Sequence, residues 1–162
     1  MQGNIGLYSA HIPLDLHPAY GNNRALADLI GLENLESFGE YDGIKIGFKG
    51  SLPAISSEKL GQVLEQKLDS QVKVIGKGEV KTVGLVTGGA ADIVQQAIQE
   101  GLDCYITGEG ANHHFHEASE GNCILIFAGH YATETGGVKS VGKHLKEKFD
   151  IDSEFLHYPT GL

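Results

Sequence analysis

An imidazole and a carboxylate stand four residues apart in Gly129-His130-Tyr131-Ala132-Thr133-Glu134, directly behind an apolar run that reads as a buried strand. On a helical turn, side chains four apart share a face with β-carbons about 5–6 Å from one another, within reach of a single divalent ion. The same six residues also read as a helix start, with Thr133 or Glu134 capping and His130 in the preceding loop. Two further places are rich in ligand types. His11 and Asp15 lie in Ser9-Ala10-His11-Ile12-Pro13-Leu14-Asp15, and Glu109, His113, His114 and His116 lie in Thr107-Gly108-Glu109-Gly110-Ala111-Asn112-His113-His114-Phe115-His116. Taken singly, Asp15 could cap a turn, Glu109 could favour a helix N-terminus, and the three histidines could form a solvated helix face. All three places follow predicted strands, so a parallel arrangement would bring them together at one sheet edge.

Other chemistries find less support. Thr87-Gly88-Gly89-Ala90 resembles a glycine turn at a helix N-terminus that could hold an anion, but it lacks the dinucleotide fingerprint and the lysine of a phosphate loop. No serine nucleophile elbow is present, and Cys104 and Cys123 lie in apolar strand-like runs, the setting of structural thiols. Metal-assisted chemistry is what remains.

The elements that must position these residues can be read from periodicity. A short strand is predicted over residues 5–9, then a helix over 22–30 opened by asparagine and closed by Gly31. Ile44, Ile46 and Phe48 alternate with Lys45, Gly47 and Lys49, which predicts a half-buried strand, antiparallel or near an edge. Ser56-Ser57 offers a cap for a helix carrying Leu60, Val63, Leu64 and Leu68, followed by strands over 72–75 and 80–86. A helix with Ile93, Val94, Ala97 and Ile98 ends at Gly101. Next come a strand over 103–106, a short helix over 111–118, a strand over 124–128, a helix over 134–149 and a last strand over 155–158. The alternation predicts one α/β domain over residues 1–162, with a mixed or mainly parallel sheet covered by helices.

Composition sets the outer bounds. The 162 residues are 41% hydrophobic and 20% charged, enough for a sizeable core. The formal net charge of −9, with no run of Lys or Arg, argues against duplex nucleic acid as a partner. The start has no basic and apolar leader pattern and no apolar run reaches membrane-spanning length, so a cytoplasmic protein with reduced thiols is expected.

With these motifs in place, the chain resembles the NIF-three-like family, whose members are often labelled GTP cyclohydrolase I type 2 homologues. The resemblance runs through nearly the whole chain. Its carriers are His11-Ile12-Pro13-Leu14-Asp15 with Gly21-Asn22-Asn23, Val83-Gly84-Leu85-Val86-Thr87-Gly88-Gly89, Ile106-Thr107-Gly108-Glu109, Gly129-His130-Tyr131-Ala132-Thr133-Glu134 and Pro159-Thr160-Gly161-Leu162. It implies a dinuclear centre of divalent metal (Zn, Mn or Fe) with Asp15, His130 and Glu134 as ligands. It also implies that His11 stands near the site and that Glu109 and His116 or His114 line the same cavity. Self-association is implied as well, as a hexameric ring with the metal sites facing inward.

The sequence departs from the family at its front, where the usual members carry a further α/β segment whose strand ends in a metal-binding His-His pair. Three implied ligands remain where the family has five, enough for one ion but hardly two. Either the chain is a fragment, or its site is rebuilt, with His11, His17 or His113 as substitutes. The expected function is metal-dependent hydrolysis of a nucleotide or related small molecule, in which Glu134 or Glu109 moves protons. The alternative is a non-catalytic metal-binding oligomeric scaffold or regulator.

Overall fold

The computed structural model describes residues 3–159. Six strands form one mixed sheet: β1 (Glu33–Tyr41), β2 (Ile44–Ser56), β3 (Lys73–Ile75), β4 (Glu79–Leu85), β5 (Cys104–Thr107) and β6 (Ile124–Phe127), in the order β1-β2-β4-β5-β6-β3. The parallel pairings are confined to the centre, β4 with β5 and β5 with β6, while β1, β2 and β3 pair antiparallel. The helices are α1 (Ile12–Asp15), α2 (Asn22–Ile30), α3 (Ser57–Leu68), α4 (Val94–Gln99), preceded by a 3-10 turn over Ala91–Ile93, α5 (His113–Glu120), α6 (His130–Thr133) and α7 (Thr135–Phe149).

Successive side chains of a strand point to opposite faces, and here both faces are covered. Cys104, Ile106, Ile124 and Ile126 pack with Leu26 and Ala27 of α2 and Leu60 and Leu64 of α3. Tyr105 and Leu125, one residue out of step, pack on the other face with Val94 and Ala97 of α4 and Ala118 of α5. Helix α2 ends as its sequence requires, with Gly31 in the left-handed region at φ 70°. Ser56 caps α3 by accepting the Lys59 N–H.

Three parts differ from the sequence reading. Residues 5–9 form no strand, and Ile5, Leu7 and Tyr8 are exposed, because no neighbouring strand is there to pair with them. Residues 155–158 are also irregular; the Tyr158 N–H donates to the Tyr131 hydroxyl at 2.9 Å instead of to a strand. Strand β1 has no counterpart in the sequence reading because Glu33, Glu36 and Glu40 obscure any alternation. It joins β2 through the two-residue turn Asp42-Gly43, both at positive φ, which matches the twist of a hairpin. No helix among the described residues is long and apolar enough to cross a membrane.

Candidate metal centre

The parallel strands β4, β5 and β6 deliver three loops to one edge of the sheet: Thr87-Gly88-Gly89, Gly108-Glu109 and Gly129-His130. Hydrogen bonds lock these loops together. The Gly88 carbonyl accepts from Gly108 N–H at 2.8 Å and from the Thr107 hydroxyl at 3.1 Å, and the Gly108 carbonyl accepts from Gly129 N–H at 2.8 Å. The amides of Thr87, Gly88 and Ala90 are engaged by Asn23, Thr133 and Thr107. Three amides of the turn are therefore spent on fixing the loops, which weakens the case for an anion cradle.

His130 is the centre of the arrangement. Its Nδ1 lies 2.8 Å from Glu109 Oε1 and its Nε2 lies 3.4 Å from Glu134 Oε1. With Glu109 holding a proton on Nδ1, the neutral ring keeps a lone pair on Nε2, on the Glu134 side. The Glu109 hydrogen bond raises the His130 pKa against the opposing effect of burial, with Glu134 and Asp15 adding to the rise. Burial raises that of Glu134, opposed by His130.

Asp15 reaches the same place from α1, although the segment before it is not a strand. Asn22 donates to Asp15 Oδ1 at 2.7 Å and accepts the Gly137 N–H at 2.6 Å, so one buried amide ties the carboxylate to the start of α7. Asn23, fully buried, donates to the Asp15 and Ile46 carbonyls and accepts from Thr87 N–H. These positioning residues, with Thr133, escape a sequence-only reading of roles; two polar residues at the start of an otherwise amphipathic helix are the only local sign.

His11, Asp15, His130 and Glu134 line one cavity of about 310 Å³, together with Thr87 and Asp92. Glu109 and His116 line a second cavity of about 620 Å³, and His130 borders both. The resemblance implies that Glu109 and His116 or His114 line the cavity of the implied ligands; Glu109 and His116 instead line the neighbouring one, with His130 on the border. His114 is instead buried against Asp92, at 2.9 Å. His17 Nδ1 accepts from Ala19 and Tyr20 amides, so this residue serves its own turn.

Of the donors lining the smaller cavity, the His130 imidazole and the Asp15 and Glu134 carboxylates are of types that suit Zn²⁺, Mn²⁺ or Fe²⁺, although their ligand atoms do not all lie within 4.8 Å of one another. Two observations fit a bound group there. The buried Thr87 hydroxyl, on the cavity wall, has no hydrogen-bond partner among the described residues. Gly88, at φ 73°, leaves room that a β-carbon would take from Glu134 Oε1 and His130 Nε2. Among the described residues, the one trio with ligand atoms all within 4.8 Å of one another is Asp92, His113 and His114. Cys104 and Cys123 are free and buried; burial pushes the Cys123 thiol up to about 11 and Cys104 well above its ordinary value, so neither is a nucleophile.

Known proteins resemble the chain in sequence and in fold. The chain is 39% identical to a GTP cyclohydrolase 1 type 2 homolog of Halobacterium salinarum, covering 100% of the chain and 66% of that protein. A Pyrococcus abyssi protein of the same name is 42% identical over 100% of the chain and 66% of its own length. A crystal structure from Thermus thermophilus superposes with a TM-score of 0.88 at 37% identity, covering 99% of this chain and 64% of that one. The chain thus spans about two thirds of the length of the curated relatives it matches. The Duf34/NIF3 (NGG1p interacting factor 3) family model matches residues 1–160, and the chain belongs to that family.

Proposed function

We propose that this chain supplies a divalent-metal centre, held by Asp15, His130 and Glu134, for hydrolysis of a nucleotide or related small molecule. The observation that carries the reading is the Glu109–His130–Glu134 alignment, in which a carboxylate holds one imidazole nitrogen and the other faces an acidic cavity. Metal-ligating histidines are commonly oriented in this way by a carboxylate on the second nitrogen. A divalent ion, when bound, supplies Lewis-acid polarisation of a substrate oxygen. Glu109 fixes the tautomer and the ring plane of His130. Glu134, on the same cavity wall, takes up and returns a proton only where it is not bound to the ion. His11 offers a further donor on the cavity wall.

The relatives named GTP cyclohydrolase 1 type 2 homolog make guanosine triphosphate the first substrate to try. The second reading, a metal-binding oligomeric scaffold without turnover, rests on the donor count: Asp15, His130 and Glu134 fill the needs of one ion and not two. A nucleotide panel assayed with added Zn²⁺, Mn²⁺ or Fe²⁺, for the chain and for Glu134→Ala, separates them. Metal-dependent turnover that Glu134→Ala abolishes is the expected result. Metal binding without turnover of any substrate favours the scaffold.

A further inference from the structure

Asp92, His113 and His114 are not part of the donor set above. Asp92 lies in the 3-10 turn before α4, and the two histidines open α5. Asp92 Oδ1 is 2.9 Å from His114 Nε2 and 3.9 Å from His113 Nε2, and the two imidazole rings lie 3.9 Å apart between centroids. An Asp–His pair that merely ties two elements together needs only His114. His113, 62% exposed at its side chain, is too far from Asp92 for a hydrogen bond, yet its Nε2 lies beside the same oxygen.

The buried ring of His114 has a further property. Its Nδ1 is 2.9 Å from the Ala111 nitrogen and 3.2 Å from the Ala111 carbonyl oxygen. The ring can therefore accept the Ala111 N–H while its Nε2–H donates to Asp92. Alternatively it can donate Nδ1–H to the Ala111 carbonyl and turn a lone pair from Nε2 toward Asp92 and His113. The latter is how a backbone carbonyl holds a metal-ligating histidine.

We propose that Asp92, His113 and His114 form a second, separate site for a borderline transition ion such as Zn²⁺, using Nε2 of both histidines and a carboxylate oxygen. Metal–ligand distances of about 2.0–2.2 Å in a tetrahedral site place neighbouring ligand atoms about 3.4 Å apart. Asp92 Oδ1 lies 2.9 and 3.9 Å from the two Nε2 atoms, the ligand atoms all lie within 4.8 Å of one another, and Asp92 and His113 are exposed and free to adjust. Three protein ligands leave one position open. Because Asp92 also lines the cavity of His130 and Glu134, the ion sits at its rim. The inference does not depend on the reading of the first centre.

Equilibrium dialysis against Zn²⁺ alone, followed by metal analysis, tests it on the whole chain. In a chain carrying His130→Ala and Glu134→Ala, one ion should still bind, and adding His113→Ala or Asp92→Asn should weaken it at least about tenfold. In the otherwise unaltered chain, His113→Ala alone should remove one site, and Zn²⁺ should move the His114 proton to Nδ1 in ¹⁵N NMR spectra. Binding that is indifferent to His113→Ala, with no tautomer change, overturns the proposal. Binding lost with His130→Ala and Glu134→Ala but untouched by His113→Ala leaves the first centre standing and removes this one; the reverse pattern does the opposite.

Discussion

Among the described residues, the Glu109 carboxylate hydrogen-bonds to no cavity donor except His130, so its role is separable from theirs. Removing it in Glu109→Ala frees the imidazole to rotate and to change tautomer, and affinity for Zn²⁺ should fall about 10–100-fold without loss of fold, measured by competition with a chelator. Unchanged affinity would show that the Glu109 hydrogen bond does not orient the ring. Gly88→Ala offers a steric version of the same test. Its β-carbon would strike Glu134 Oε1, whereas Gly31, also at positive φ, has nothing within 4 Å of a β-carbon. Both alanine variants bear backbone strain of about 1–3 kcal/mol, but only Gly88→Ala should also lose metal. Sequence motifs singled out His130, Glu134 and Asp15, and the fold brings these three to one cavity. The sequence concealed Asn22 and Asn23, whose partners Gly137 and Thr87 lie 115 and 64 residues away.

The elements that converge on the site were legible where a period or a cap is strong. Helix α3 follows its Ser56 cap and its apolar stripe, and β5 and β6 follow their apolar runs. The opening and closing strands failed because a short alternating segment becomes a strand only beside an open partner. The hairpin of β1 went unread because its turn, Asp42-Gly43, sits beside a glutamate-rich strand without alternation. One side chain outside the site binds two of these elements together. Asp103, just before β5, accepts from Lys81 N–H at 2.9 Å, Thr82 N–H at 2.8 Å and the Thr82 hydroxyl at 2.9 Å. Burial raises its pKa, but those donors outweigh burial and hold it below the ordinary carboxylate value. A depressed folded pKa means stability that is present above the unfolded value and is lost as pH falls through the folded one. Asp103→Asn should therefore cost about 1.5–3 kcal/mol near pH 7, and the gap should shrink once pH drops below about 4. Urea melts at pH 7 and pH 3 check this; an equal gap at both would show that the charge contributes nothing.

At the scale of the whole molecule, the exposed apolar residues concentrate near the two ends of the described chain: Ile5, Leu7 and Tyr8 at one, Phe155, Leu156 and Tyr158 at the other. Large apolar side chains left this exposed are commonly covered in an assembly, and we expect self-association in solution. Light scattering coupled to size exclusion should give a mass that is a multiple of 17.3 kDa, and a monomer at every concentration tried would contradict it. The order of the central strands brings Glu109, after β5, beside His130, after β6, because parallel β4, β5 and β6 end at one edge, while Asp15 is carried in from α1 and tied to α7 through Asn22. The proposed centre depends on that convergence, and Zn²⁺ titration reads it most directly. In chains carrying Asp92→Asn to silence the rim site, Asp15→Ala, His130→Ala and Glu134→Ala should each weaken binding at least about tenfold, with circular dichroism unchanged. Three variants that bind Zn²⁺ as tightly as the chain with Asp92→Asn alone would contradict it.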